Sequence, residues 1–214
     1  GFELMSNFKF PYFSKDIGEF WRRWHISLSS WFRDYLYIPL GGSKKGKWTS
    51  IKNIFIIFVV SGFWHGARWT FIVWGLVHAS LYIPLFLKGK NNQYNDINVR
   101  KSSWFSNIKE FVQIGITFFS IMFAWVFFRS ESIKDALSYL FLMITNFEYP
   151  NSEFYLVVFL ILFLFLEFIF FKYSIENFKI KNSYVRIVVY FILIQLIFYF
   201  SSSGNNIEFI YFQF

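Results

Sequence analysis

Three histidines are the residues of this sequence best suited to chemistry. The chain of 214 residues contains His25, His65 and His78, and it has no cysteine. A neutral imidazole accepts a proton near pH 7, so each histidine is a candidate general base. The lack of cysteine excludes disulfides, thiolate catalysis and cysteine-based metal sites. The histidines are not at ligand spacing and have no carboxylate beside them in the apolar segments, so we expect no metal site.

His65 lies within a long apolar stretch, residues 51–87, in the segment SGFWHG. An ionisable side chain in such a stretch is costly, which favours a functional role. Both flanks of the stretch are basic, and basic loops stay in the cytoplasm. We therefore predict that 51–87 enters and leaves the membrane on one side, as a re-entrant or two-helix hairpin. Gly62 and Gly66 would form its turn and carry His65 to depth. A structural histidine at the junction of two helices is the alternative.

The composition predicts an integral membrane protein. The chain is 56% hydrophobic and contains 34 Phe, whereas soluble domains are about 45–50% apolar. We predict an all-α, polytopic fold with membrane helices over residues 104–128, 154–171 and 185–201. The net charge of +8 is concentrated in loops and is best explained by topology. No RNA-binding motif is present, so no nucleic acid is expected as a partner.

An amphipathic helix is predicted over residues 16–40. Aromatic side chains occupy one arc of it and charges of both signs occupy the opposite arc. His25 falls on the apolar arc, flanked by Trp21 and Phe32. The helix is too polar to span a membrane alone, so it would lie in the interface or line a funnel. The glycine- and lysine-rich loop that follows lacks the P-loop pattern, and a solvated cytoplasmic loop is favoured there.

Two long motifs resemble a known family. The segments FWRRWHISLSSWFRDYLYIPLGGS (20–43) and SGFWHGARWTFIVWGLVHA (61–79) are similar to the membrane-bound O-acyltransferase (MBOAT) family. RDYLYIPLGG resembles the bacterial branch that O-acetylates alginate more than the branch that D-alanylates teichoic acids. AWVFFRSES (124–132) and the terminal FIYFQF (209–214) also resemble the alginate branch. Because family members are longer, residues 1–214 look like the C-terminal part of a single MBOAT membrane domain, without its N-terminal half.

The resemblance implies a fold and an activity. The fold would be a ring of membrane helices around a funnel, with short slanted or re-entrant helices inside. The activity would be transfer of an acyl group from a cytoplasmic thioester to hydroxyls of an extracytoplasmic polysaccharide. The acyl group would by default be acetyl, and the polysaccharide would be alginate or another exopolysaccharide of the cell envelope. The donor would be acetyl-CoA or an acyl carrier, with no tightly bound cofactor. The setting would be a bacterial inner (cytoplasmic) membrane, crossed several times and surrounded by lipid. A periplasmic acyltransferase or esterase-like protein is the expected partner.

The resemblance also assigns roles to residues. His65 matches the histidine of the family's tryptophan-histidine-glycine motif, and we expect it to be the general base. His25 matches an earlier histidine associated with activity; it would orient the donor, stabilise the oxyanion or position His65, and the sequence does not choose. Further candidates for donor or substrate binding are Trp24, Trp64, Arg22, Arg23, Arg33, Asp34, Arg68 and His78. Taken alone, His78 is more typical of a packed histidine, and Arg68 could instead snorkel to the surface.

Other functions remain open from the sequence. D-alanyl transfer and peptidoglycan O-acyl transfer fit the same motifs. A basic rim and a re-entrant hairpin fit a non-catalytic transporter or a scaffold of an export complex equally well. No G-x-S-x-G motif is present, so direct transfer, or transfer onto a partner's hydroxyl, is expected rather than an acyl-enzyme, with Ser61 left open. Glu167, in the predicted helix 154–171, is expected to be a paired structural group.

Overall fold

The computed structural model describes residues 5–89, 108–146, 154–172 and 182–202, and within these ranges the chain forms helices and turns without a β-strand. The predicted all-α class is confirmed for this part. The terminal FIYFQF and residues 90–107 lie outside the described ranges. The helices are α1 (Ile17–Arg23), α2 (Ile26–Phe32), α3 (Lys47–Trp64), α4 (Trp69–Leu87), α5 (Ile108–Arg129), α6 (Ile133–Thr145), α7 (Phe154–Lys172) and α8 (Ser183–Ser202).

The segment predicted as one helix, 16–40, is divided. Helix α1 ends at Arg23, His25 adopts a left-handed conformation with φ of 46°, and α2 begins at Ile26. A π-helical segment, Arg33–Tyr37, continues from α2. The break arises because residues 7–9 take the backbone groups that a continuous helix would use. The Lys9 N–H donates to the Arg23 carbonyl at 2.9 Å. Amphipathic periodicity does not reveal such a distant pairing.

Helices α3 and α4 form a closely packed hairpin. A Cβ atom added at Gly62 would lie 2.3 Å from the Phe71 carbonyl oxygen, and one added at Gly75 would lie 2.2 Å from the Phe58 carbonyl oxygen. Each glycine therefore lets the backbone of one helix touch that of the other, as small residues do between membrane helices. Gly62 was expected in the turn, but α3 continues to Trp64. Its role is close packing.

Two helices in the described ranges are long and apolar enough to cross a membrane, α4 and α5. Helices α5 and α7 lie where membrane helices were predicted. Helix α6 begins at a cap in which the Asp135 N–H donates to the Ser132 hydroxyl at 3.1 Å. Helix α8 belongs to a second compact unit, residues 175–214, and by itself is an apolar helix over Ser183–Phe198.

Trp21 of α1 is central to the packing of the first unit, residues 1–174. The described residues of this unit form three clusters of buried apolar side chains, and the Trp21 ring packs against all of them. One is centred on Trp74 and Ala124, one on Phe20 and one on Phe58. Helix α1 is thus inserted among α3, α4 and α5, which places its C-terminal end, and the His25 turn, against the helices that carry His65.

Candidate active site

His65 lies in the turn between α3 and α4. Its N–H donates to the Gly62 carbonyl at 3.0 Å, and the Gly66 N–H donates to the Phe63 carbonyl at 3.0 Å, which ends α3. Gly66 then has φ of 143°, a conformation that a side chain disfavours. The chain re-enters a helix at Trp69. This turn carries the imidazole of His65 out of the helix axis and towards α5.

The His65 imidazole is half-buried among aromatic rings from three helices. Its ring centroid is 4.9 Å from Trp64 at the end of α3, 5.3 Å from Trp74 of α4 and 4.9 Å from Phe128 of α5. All three rings meet it nearly at right angles, with interplanar angles of 77–89°. Edge-to-face contacts of this kind fix a ring's orientation. His65 therefore has a defined position with one side open.

His25 is held by residues that precede α1. The Asn7 side-chain oxygen accepts hydrogen bonds from the Ser27 N–H at 3.0 Å and the Ser27 hydroxyl at 2.6 Å. The Asn7 backbone carbonyl accepts from the Ile26 N–H at 3.0 Å. We call these three bonds the Asn7 clamp. They stabilise the left-handed backbone of His25, which is uncommon for a residue other than glycine.

The Trp64 ring lies close to the imidazole rings of both His25 and His65. Its ring centroid is 6.4 Å from that of His25 and 4.9 Å from that of His65, edge-on to both. The indole is 52% exposed, so the face that joins the histidines is open at the surface of the described chain. One imidazole can act as a base there, while the other supplies a hydrogen bond or positive charge.

Residues 5–129 match the family model of MBOAT, the membrane-bound O-acyltransferase family. The chain belongs to the MBOAT family. The resemblance predicted from the two motifs is confirmed. Both histidines and the rings around them lie within the matched residues.

Curated relatives of known name agree with this membership. The chain is 43% identical over 136 residues to a probable alginate O-acetylase AlgI of Pseudomonas syringae, covering 64% of this chain and 24% of the relative. It is 39% identical over 139 residues to a peptidoglycan O-acetyltransferase of Helicobacter pylori, covering 64% and 24%. It is 42% identical over 88 residues to a teichoic acid D-alanyltransferase of Bacillus subtilis, covering 38% and 22%. The chain thus spans about a quarter of the length of these MBOAT relatives.

The charged candidates of this MBOAT chain lie in different settings. Arg23 pairs with Glu19, donates to the Phe10 carbonyl at 3.3 Å and lies 5.4 Å from the Phe171 ring centroid of α7. Arg33 and Asp34 form a two-bonded pair at 2.7 and 3.1 Å, with side chains 62% and 46% exposed. The Arg33 guanidinium donates hydrogen bonds to Asp34, which lowers the pKa of that carboxyl.

Two further candidates lie next to the helices of the hairpin. Arg68 occupies the N-cap position of α4, and its guanidinium lies 4.8 Å from the Phe71 ring centroid. It shares the turn with His65. Arg22 is half-buried, close to Tyr82 of α4. Trp24 stacks on Phe20 at 5.5 Å and does not contact Trp64 among the ring pairs of the described residues.

Two residues beside His65 were not singled out in the sequence. Phe128 comes from α5, at a distance along the chain that no local pattern spans. Trp74 precedes His78 by one helical turn, and this spacing was the only feature of the sequence that could have placed Trp74 next to a histidine. Among the described residues, no three His, Asp or Glu side chains come together as a metal site would need.

Glu167 of α7 does not have the partner that we predicted for it among the described residues. Its Oε2 atom is buried there and accepts no hydrogen bond. Tyr12, from the short helix Pro11–Phe13, is close by: burial and the charge of Glu167 raise the pKa of the Tyr12 hydroxyl. The Tyr12 ring also packs against Phe163, one turn before Glu167, at 6.1 Å.

Proposed function

We propose that this protein is a membrane O-acyltransferase that moves an acyl group, acetyl, from a cytoplasmic thioester to hydroxyls of an extracytoplasmic polysaccharide. The observation that carries the proposal is that the rings of His25 and His65 both lie next to the exposed Trp64 ring. MBOAT membership supports it, as do relatives named for acyl transfer to alginate, peptidoglycan and teichoic acid. Alginate or another exopolysaccharide is the acceptor we favour, because the alginate relative is 43% identical to the chain and the peptidoglycan relative is 39% identical over the same share of it.

In the proposed reaction, His65 is the general base. Its imidazole takes the proton of the acceptor hydroxyl as the oxygen attacks the thioester carbonyl, forming a C–O bond. The carbonyl oxygen becomes an oxyanion, and His25 stabilises it by donating a hydrogen bond. When the C–S bond breaks, the leaving thiolate takes the proton from the His65 imidazolium. The products are an ester and a free thiol, and both histidines return to their starting state.

The donor is proposed to approach along the face that Trp64 and Arg68 share. Arg68 stands in the same turn as His65, and a guanidinium suits an anionic carrier such as the phosphates of coenzyme A. The exposed Arg33 is a second proposed contact, with Asp34 orienting its guanidinium. Arg22, Arg23 and Trp24 are proposed to border the same path. No tightly bound cofactor enters this scheme.

A bacterial inner-membrane location and a multi-pass topology complete the proposal. The apolar helices α4 and α5 support a membrane setting, and helix α1 inserted among them resembles the short slanted helices expected inside a ring. We propose that the complete ring surrounds a funnel leading to His65. A periplasmic acyltransferase or esterase-like protein would receive the acyl group or deliver it to the polymer.

The test uses the complete protein in inside-out membrane vesicles supplied with radiolabelled acetyl-CoA. Alkali-labile label in the polymer measures ester formation. Replacing His65 by Ala or Asn is expected to reduce transfer by about 10²–10⁴-fold at unchanged membrane abundance. Phe63→Ala is the matched control, because Phe63 lies in the same last turn of α3 but is largely exposed. Full transfer by the His65 variants would contradict the proposal.

The same assay separates the candidate acceptors. Label recovered in exopolysaccharide supports the acceptor proposed here. Label in peptidoglycan would replace that acceptor while retaining the reaction. Transfer only of D-alanine, supplied on an acyl carrier, would indicate the teichoic acid activity. His25→Ala is expected to reduce transfer less than His65→Ala, because a base remains.

A further inference from the structure

His78 is enclosed by four aromatic rings in the core of the α3–α4 hairpin. Its side chain is 0% exposed. The rings of Phe20 and Phe58 lie nearly parallel to the imidazole, at interplanar angles of 5° and 16°. Trp21 and Trp74 meet it edge-on, with ring centroids 5.0 and 4.8 Å away. This enclosure leaves no path for a donor or acceptor to touch His78 in the described part of the chain.

The side chains that form this enclosure also carry buried polar nitrogen atoms. Both ring nitrogens of His78 and the indole Nε1 atoms of Trp21 and Trp74 are buried without a hydrogen-bond partner among the described residues. Buried polar groups nearly always have a partner. In a membrane the requirement is stricter, since lipid supplies none. Four unpaired nitrogens on three rings in mutual contact indicate a site that holds a small polar molecule.

The balance of donors and acceptors identifies that molecule. Each indole offers one N–H and no acceptor, and a neutral imidazole offers one N–H and one lone pair. The cluster therefore has three donors and one acceptor. A water molecule accepts from both indoles and donates to the imidazole lone pair, which gives it three partners, the usual number for a buried water. It satisfies three of the four unpaired nitrogens and leaves the imidazole N–H without a partner in the described part of the chain.

Trp74 connects this cluster to His65. Its ring meets His78 at 4.8 Å on one side and His65 at 5.3 Å on the other, at interplanar angles of 73° and 89°. Trp74 is 3% exposed, so it has little freedom to move independently of either neighbour. A contact that holds the Trp74 indole in place therefore also holds the ring against which the His65 imidazole packs.

We propose that Trp21, Trp74 and His78 bind one buried water molecule, and that His78 thereby acts as a positioning residue for His65 through Trp74. The proposal rests on the function of His65 as general base. The nitrogen atoms of His78 are what matter in it, rather than the shape of the ring alone. Loss of the water bridge frees the Trp74 ring and lets His65 leave the orientation needed for proton transfer.

The first test compares two variants of similar volume, His78→Gln and His78→Leu. Neither has an aromatic ring, but only glutamine offers a donor and an acceptor. In the vesicle assay with acetyl-CoA, His78→Leu is expected to lower kcat about tenfold to a hundredfold with KM for acetyl-CoA unchanged. His78→Gln is expected to restore most of kcat. Equal kcat values for the two variants would overturn the proposal, because a purely structural role depends on packing.

The second test keeps the packing and removes one donor. Trp74→Phe retains an aromatic wall beside His65 but lacks the indole N–H, so it is expected to lower kcat with KM unchanged. If the nitrogens act through one water, the double variant Trp74→Phe/His78→Leu is no worse than His78→Leu alone. Multiplying losses would overturn the proposal. If His78 variants fail to accumulate, the single variant Trp74→Phe remains informative, and an unchanged kcat in it would overturn the proposal.

Two further variants separate this inference from the proposed function. Trp69→Phe is the control for an indole, since Trp69 is an exposed residue at the start of α4, and it is expected to leave kcat unchanged. His65→Ala tests the base itself. Full transfer by His65→Ala contradicts the proposed function, whereas loss in His65→Ala with full transfer in both Trp74→Phe and His78→Leu contradicts only the positioning role.

Discussion

The two turns that carry histidines are held in different ways. The His65 turn joins α3 and α4, whose backbones touch at Gly62 and Gly75. The His25 turn joins α1 and α2, and it depends on hydrogen bonds that Asn7, which lies outside both helices, accepts from Ser27. One turn is fixed by the contact of two long helices, and the other by a few polar bonds.

This difference suits different roles. A general base must keep its geometry, since a small misplacement lowers the rate strongly. A hydrogen-bond donor to an oxyanion must also be positioned before the reaction, and the Asn7 clamp provides that position for His25. The close helix contact makes the His65 turn as rigid as the hairpin itself, whereas each bond of the Asn7 clamp contributes only about 1 kcal/mol. We infer that His25 is the more adjustable of the two histidines.

The largest effect is expected from opening the hairpin. In Gly75→Ala, the new Cβ would lie 2.2 Å from the Phe58 carbonyl oxygen, so α3 and α4 must separate. We expect a loss of about 3 kcal/mol in the free energy of unfolding, at the upper end for overpacking. Membrane abundance and the thermal midpoint in detergent measure it.

Gly115→Ala is the matched control for this prediction. Gly115 also lies in an apolar helix, α5, but a Cβ added there meets nothing within 4 Å. Since alanine favours helix by about 1 kcal/mol over glycine, this variant is expected to be neutral or stabilising. Equal losses in the two variants would show that the hairpin contact does not set the rigidity of the His65 turn.

The next effect concerns the ion pair beneath the His25 turn. Glu19 and Arg23 pair within α1 with side chains 7% and 16% exposed, and Glu19 also accepts from the Lys15 N–H at 2.7 Å. Glu19→Gln weakens both interactions, and we expect a loss of about 2 kcal/mol, the range for hydrogen bonds to charged groups. Thermal unfolding of the complete protein in detergent measures it.

A more exposed pair provides the comparison. Glu110 pairs with Lys15 at 2.9 Å, with side chains 32% and 24% exposed. Glu110→Gln is expected to cost less than Glu19→Gln because solvent screens the pair. If the two variants lose equal stability, burial does not make the Glu19–Arg23 pair a stronger support of the His25 turn than an exposed pair would be.

The hairpin could be predicted from sequence because its signals are local. Basic flanks on both sides of 51–87 predict that the stretch enters and leaves the membrane on one side, and the glycines around His65 predict where the turn falls. The exact helix ends could not be predicted, since Gly62 serves a contact with Phe71 that only the folded pair reveals. Phe128 beside His65 left no signal either, because it comes from another helix.

The break in the helix at His25, by contrast, could not be predicted from the local sequence. Periodicity over 16–40 is helical throughout and predicts that His25 lies beside Trp21 and Phe32, whereas the ring pairs of His25 in the described residues are with Phe8 and Trp64. The break depends on pairing between residues 7–9 and the ends of α1 and α2. Such pairing overrides the local helix preference of Trp24 and His25, and no pattern within the helix reports it.

A smaller effect is expected from the Asn7 clamp. Asn7→Ala removes the acceptor of both Ser27 bonds, at an expected cost of about 1–2 kcal/mol. Because His25 is proposed to act on the donor and the oxyanion, transfer from acetyl-CoA should fall more than the loss of folded protein explains. Ser6→Ala is the control, since its hydroxyl makes only an exposed bond to the Phe8 carbonyl. Unchanged transfer per folded molecule would show that the clamp does not position His25.

The smallest effect is expected from the exposed pair that follows α2. The hydrogen bond from Arg33 lowers the pKa of Asp34 below its ordinary value of 3.8, so any stabilisation is present above that pH and is lost as pH falls through the folded-state pKa. Asp34→Asn should therefore leave thermal stability unchanged at pH 7, because solvent screens the pair. KM for acetyl-CoA should rise on the order of twofold, as Arg33 loses its orientation. A stability loss equal to that of Glu19→Gln would contradict this prediction, because it would mean that the segment after His25 is held as firmly as the segment before it. The His25 turn would then be as rigid as the His65 turn.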